Sequence, residues 1–304
     1  MIAVIGATGF IGTRLTRALT TTGQPVRALV RDAGRARARF TDPADPPAGH
    51  LDLVVGDMHD PAALATLMAG ARATYVLVQT VTSPQVAGTG DFAQAERGAL
   101  TRIVAAAHAA GVTRLLTVGL IGASRNAPNP WVRARADNDA FLLDSGLDVT
   151  VLRPGLVAGI GSVGFDTLLA VAGRTLTTVH GSGLQRWSYI AVDDLVGYLV
   201  DALDEIATYR RAFDVGSTEA PTYRELLSRT AAVLGRPGPR IVPIPLPLLR
   251  TLAPLVEHRH HLPRGGIRAA LDHLADDLTG DPTTIRTTLP RTLLTWETAV
   301  RRST

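Results

Sequence analysis

The sequence predicts an α/β protein, a doubly wound parallel sheet with a smaller, mostly helical C-terminal cap. Three observations carry this. Short β-branched runs alternate with longer stretches of helical period through the first half. A glycine-rich turn follows the first of those runs. Beyond Pro154 the alternation loosens into glycine-marked loops and then proline-punctuated helical segments.

Taken in order, residues 2–5 form a first buried strand. Residues 11–22 place apolar side chains at 11, 15, 18 and 19, a helical spacing that Gly23 ends as a left-handed cap. Residues 26–30 and 51–55 are the second and third strands. A short helix over 61–68 starts with Asp60 as N-cap and Pro61 at its first position. Residues 73–78 are a fourth strand, followed by a long helix from about 92 to 110 that stops at Gly111. The fifth strand is 114–118, the next helix runs from about 131 to 144, and 149–152 is the sixth strand. Further on, a helix near 165–171 lies between glycine loops. Residues 189–192 and 193–203 read as strand and helix, and 212–215 as one more strand. From Thr222 onward the pattern is helical. The expected division is a sheet-bearing half over 1–155, with its sheet completed by 186–216, and a cap over 156–185 and 217–304.

Composition narrows the chemistry. The 304 residues hold no cysteine, which excludes disulfides, thiolate nucleophiles and sulfur-ligated zinc. Lysine is also absent, so all 31 basic residues are arginine and Schiff-base chemistry is excluded. A net charge of +4 with 5% aromatic residues argues against nucleic acid as a partner. The most apolar stretch, 241–256, is cut by four prolines and carries Arg250, so no membrane span is expected. Met1 leads straight into a strand without a basic leader region, so a cytoplasmic location is expected; a small-molecule substrate is the expected partner, and a monomer or homodimer the expected state.

The motif Gly6-Ala7-Thr8-Gly9-Phe10-Ile11-Gly12 follows a strand and opens a helix. The first glycine makes the turn and the second lets backbone approach a pyrophosphate. The third allows close helix packing, while the helix N-terminus offers free N–H groups to the anion. Gly6, Thr8, Gly9, Phe10, Ile11 and Gly12 are therefore the candidate pyrophosphate residues of a Rossmann-like domain. The second strand ends at Val30, and Arg31 comes first after it. An arginine there suits the 2′-phosphate of NADP, whereas Asp32 would suit the ribose of NAD. NADP(H) is the expected cofactor, with Arg35 supporting Arg31. Arg35, Arg37 and Arg39 together also fit a solvated helix face.

With GATGFIG at 6–12, LVRD at 29–32, GD at 56–57 and LRPG at 152–155, the chain resembles the NmrA-like branch of the atypical short-chain dehydrogenase/reductases. The likeness covers roughly residues 1–220. It implies that Asp57 and Met58 lie beside the adenine. It also implies that the loop after Val78 and the segment from Pro154 border the nicotinamide. In this superfamily a serine after the fifth strand and a Tyr-x-x-x-Lys helix protonate the carbonyl that receives hydride. Here the serine positions read Gly119 and Leu120, the tyrosine position Trp131 and the lysine position Arg135. An indole N–H is no general acid near neutral pH, and arginine does not exchange protons.

These departures, set on the resemblance, point to an NADP(H)-dependent oxidoreductase of a hydrophobic conjugated molecule. A quinone, an enone or a related secondary metabolite spreads the incoming charge and needs less help from an acid. Arg135 would steady the ribose or polarise the acceptor, and Trp131 would form an apolar wall. Tyr189 is the candidate replacement acid, against its reading as a half-buried strand aromatic. The alternatives are an NADP-sensing regulator without catalysis and a non-redox isomerase, cyclase or dehydratase on the same scaffold. His180 in a glycine-flanked loop is a weaker acid–base candidate. Ser124 lies seven residues before Trp131, nearer than the superfamily serine, and is not assigned its role. Asp193 and Asp194 read as helix N-cap and first-turn acid. The tract His258-Arg259-His260-His261 reads as polar surface, and no metal site is expected.

Overall fold

The computed structural model describes residues 1–40, 50–78, 92–259 and 266–304. The first half runs β1 (Ile2–Ile5), α1 (Phe10–Thr21), β2 (Val26–Val30), α2 (Ala33–Phe40), β3 (Leu51–Val55), α3 (Pro61–Met68) and β4 (Ala73–Val76). It continues with α4 (Phe92–Ala109), β5 (Arg114–Val118), α5 (Pro130–Leu143) and β6 (Asp148–Pro154). After β7 (Leu156–Ala158) come α6 (Val163–Ala172), β8 (Leu176–His180), β9 (Tyr189–Ala191), α7 (Val192–Asp201) and β10 (Arg211–Val215). The chain ends with α8 (Tyr223–Val233), β11 (Arg240–Ile244), α9 (Leu246–Arg259), α10 (Gly266–Ala275), α11 (Thr283–Thr288) and α12 (Trp296–Arg301).

Seven strands form one sheet in the order β10-β6-β5-β4-β1-β2-β3, all parallel. Its central strands are buried on both faces, which is why β1 reads as a continuous apolar run without alternation. Ile2 and Val4 point into a core shared with α1, α2 and α7, while Ala3 and Ile5 point into one shared with α3, α4 and α5. Helices thus cover both faces. The strand order reverses between β1 and β4, the switch point where ligands bind in such sheets. Local signals act as the residues dictate: Asp60 accepts the N–H of Ala62 and Pro61 opens α3.

A third core lies under the C-terminal segments, around Phe165, Trp187, Tyr223 and Trp296. Here the expectation of helices alone after residue 222 is corrected, because β11 pairs in parallel with β8 as a two-stranded ribbon. Strand β7 pairs with β9 in a second ribbon. Each is three to five residues long, too short for a period to declare itself, and Pro243 breaks the pattern of β11. The N-cap of α7 is Ala191, so Asp193 and Asp194 both fall in the first turn. There Asp193 pairs with Arg302, and Asp194 accepts the N–H of Leu294.

Candidate functional site

The glycine loop joins β1 to α1 at the switch point, and its geometry explains each glycine. Gly6 has φ +86°, and a Cβ there would lie 2.8 Å from the Leu77 carbonyl oxygen. A Cβ on Gly12 would lie 2.0 Å from the Gly6 carbonyl oxygen, so the helix meets the turn closer than any side chain permits. Gly9 is the N-cap of α1; its N–H donates to Gly6 and its carbonyl accepts from Thr13. No side chain caps α1, and Thr8 and Gly9 are exposed, so the first-turn N–H groups face outward as an anion cradle. Ile11 packs on the first core, whereas the Phe10 ring lies against Gly159 and Gly161, each of which leaves room for it by lacking a side chain. The Arg14 guanidinium stacks over Phe10 at 4.7 Å and donates to the carbonyls of Phe10 and Ile160, each at 2.9 Å. The loop after β7 is thereby tied to the mouth of the cofactor loop. Burial lowers the pKa of Arg14.

Arg31 stands exposed where β2 ends, and among the described residues it has no hydrogen-bond or ion-pair partner. Asp32 is differently placed. Its Oδ1 accepts the Arg35 N–H at 2.9 Å, capping α2, and its other oxygen lies 3.7 Å from the Arg35 guanidinium. The acid that would prefer an unphosphorylated ribose is thus engaged by its own helix. Asp57 makes a similar local turn, accepting the His59 N–H, and Met58 packs on the second core. Val78 borders Gly6, while the loop that follows it, residues 79–91, lies outside the described residues.

At the carboxyl end of β5, where the resemblance leads one to expect a serine, stand two ion pairs. A Cβ at position 119 would meet Val151 Cγ1 at 2.8 Å, Arg153 Cγ at 3.0 Å and Asp139 Oδ2 at 3.1 Å. Arg153, from β6, holds Asp139 of α5 at 2.7 Å in that space. Burial raises the pKa of Asp139, with Arg153 opposing. Arg135 is buried; it pairs with Glu96 of α4 and donates to the Val118 carbonyl at 2.8 Å. Glu96 also accepts from Asn138. Trp131, half-buried in the first turn of α5, sits beyond Asn129, which caps the helix. The sequence singles out neither residue: Arg153 lies within LRPG, and nothing in the local pattern of α5 marks Asp139 as its partner.

Tyr189 is placed in a closed set of contacts rather than as a free acid. Its hydroxyl donates to Glu219 and accepts the Trp296 N–H at 3.1 Å, and its ring meets Trp296 edge-on. Desolvation and then the Glu219 carboxylate push its pKa up to about 12. Pro154 closes β6 and accepts the Ile121 N–H, putting the β5 and β6 ends side by side. Ser124 and Arg125 stay in local surface contacts. The His180 side chain, His260 and His261 lie outside the described residues. Among the described residues no group of three histidines or acids could hold a metal ion, and no helix is long and apolar enough to cross a membrane.

Known proteins resemble this chain in sequence and in fold. Residues 6–178 match the model of a family described as NAD(P)H-binding. The chain is 32% identical over 273 residues to the 3-diazoavenalumate denitrifying reductase of a Streptomyces species, covering 81% of this chain and 85% of that protein. It is 27% identical over 237 residues to the NAD(P)H azoreductase of Xenophilus azovorans, covering 78% and 75%. Two solved structures share the fold. An NADPH-dependent quinone oxidoreductase of Escherichia coli complexed with NADPH superposes with TM-score 0.72 at 19% identity over 99% of each chain. The Citrobacter sp. triphenylmethane reductase complexed with NADP(H) gives 0.74 at 17% over 100% of each.

Proposed function

We propose, from the premise that this chain belongs to the NAD(P)H-binding family, that it is an NADP(H)-dependent reductase of a hydrophobic, conjugated acceptor. The observation that carries the acceptor class is the end of β5, where Gly119, Trp131 and the paired Arg135 stand in place of a positioned acid. An acceptor that delocalises incoming charge suits such a site, as a quinone, an enone or an N=N bond does. The relatives named as diazo-compound and azo reductases favour the last.

The residues present fit the cofactor, because the cradle at Gly6 and Gly12 is one that a single Cβ would fill. The exposed N–H groups of α1 would hold the pyrophosphate, and Arg31, without a partner among the described residues, the 2′-phosphate. Asp57 and Met58 would flank the adenine. When bound, NADPH supplies the hydride. The chain's own groups then orient and exclude water: Trp131 forms an apolar wall, Pro154 limits the floor, and Arg135 acts as a positioning residue by holding the Val118 carbonyl. The substrate would lie between the cofactor half (1–155 with 186–216) and the cap (156–185 with 217–304), a placement favoured by α10 packing against α5.

The test is a titration of the purified chain with NADPH, followed by quinones, enones, azo and diazo compounds and simple ketones while cofactor absorbance is recorded. Oxidation with the conjugated acceptors and none with simple ketones is the expected outcome. Tight NADPH binding without oxidation by any acceptor overturns the reductase in favour of a sensor or a non-redox enzyme.

A further inference from the structure

Helix α9 presents an apolar face that the described part of the chain leaves open. It turns Ala253 and Glu257 inward. On the outside stand Leu248 (52% exposed), Leu252 (47%), Leu255 (66%) and Val256 (40%), a spacing that lines one side of a helix. Strand β11, which feeds the helix, adds Val242 at 43%. Soluble domains rarely leave so many large apolar side chains together in water.

The charge around this face is mainly positive. Residues 236–268 contain six arginines and a single acid, Glu257, in a chain whose whole surplus is +4. Glu257 is buried, and its Oε1 accepts the Ile267 N–H at 2.9 Å, so it leaves the surface positive. Arg250 is neutralised by Asp272 at 2.7 Å, whereas Arg240, Arg259, Arg268 and His258 stand exposed. Of the acids that follow, Asp276 and Asp277 are both exposed, the latter accepting the Arg186 N–H, so they offset part of the positive charge.

We propose that this face is a peripheral docking surface for an anionic lipid bilayer. Leu248, Leu252, Leu255 and Val256 would enter the boundary between headgroups and acyl chains, with Arg240 and Arg259 reaching lipid phosphates. The charge decides between a bilayer and a second copy of the chain. A two-fold contact through this face would set the same arginines against each other, whereas an anionic surface neutralises them. Peripheral docking needs no spanning helix, and the proposal stands apart from the substrate reading above.

Co-sedimentation of the full chain with phosphatidylcholine vesicles, with and without phosphatidylglycerol, tests it. Binding to the anionic vesicles is expected, falling as salt is raised, with little binding to the neutral ones. Leu252→Glu with Leu255→Glu should weaken it about tenfold or more, and Arg240→Gln or Arg259→Gln about fivefold each. Unchanged circular dichroism and NADPH titration would show that these variants are folded. Absence of binding to anionic vesicles at low salt overturns the proposal, as does equal binding by the double glutamate variant. A concentration-dependent dimer dissolved by that same variant also overturns it, assigning the face to a second copy. A chain that reduces none of the acceptors above would leave the vesicle result unaffected.

Discussion

A methyl group decides the fate of the cofactor loop. At Gly12 it would sit 2.0 Å from a carbonyl of the same loop, so Gly12→Ala must push α1 away from the turn and misplace its N–H groups. NADPH affinity should fall by about a hundredfold, since several charge-assisted hydrogen bonds are lost together; a fluorescence titration measures it. Arg31→Ala removes one cation from one phosphate. It should weaken NADPH about tenfold or more and leave NADH nearly unchanged. Equal affinity of that variant for NADPH would dismiss Arg31 as the selector. Trp131→Tyr with Arg135→Lys tests whether the missing acid is a matter of two residues. Position 119 is packed against Arg153 and Asp139, with no room for the serine, so the pair should fail to create ketone reduction in a cofactor-oxidation assay. Tyr189→Phe should leave turnover near neutral pH unchanged and alter alkaline stability. The raised pKa means that the unfolded chain loses this proton near pH 10, the folded one near 12. Stability from Tyr189 therefore declines as pH rises from 10 toward 12. Tyr75, also shifted upward by burial, adds to that decline, so the readout is the difference between wild type and variant in denaturant titrations across this range.

Among the elements, β5 is held at both ends by arginine. Arg135 secures the carboxyl end, which borders the site. Arg114 secures the start: buried, it donates to the carbonyls of Ala202, Leu203 and Asp148 and to the hydroxyls of Thr150 and Thr208. It thereby joins the end of α7 to β5 and β6, with Tyr209 stacked on it at 4.2 Å. Arg114→Met should cost about 3 kcal/mol, because several buried acceptors lose their donor at once; chemical denaturation measures it. Legibility in the sequence followed element length and burial. The central strands, buried on both faces, and the capped helix α3 declared themselves. The ribbons β7–β9 and β8–β11 did not, because a strand of three residues has no period and is stabilised by its partner rather than by its own pattern.

For the molecule as a whole, cofactor and fold are linked, since the cradle exists only in the folded chain. NADPH at a hundred times its dissociation constant should stabilise the protein by about 2.7 kcal/mol, and NADH at the same concentration by less. Thermal melts with each nucleotide give the comparison. The sequence by itself determined the doubly wound sheet, the glycine loop after its first strand and, at the positions where the resemblance expects a serine, a tyrosine and a lysine, the residues Gly119, Trp131 and Arg135. These rest on contacts close along the chain and on which chemical groups are present. Only the tertiary structure decided what surrounds them. It set Arg153 with Asp139 beside Gly119, Arg135 against Glu96, and Tyr189 between Glu219 and Trp296. The members of those pairs lie between 14 and 107 residues apart, on different elements. A charged or polar side chain has no periodicity to announce its partner, and its role is fixed by which desolvated group the fold brings to meet it.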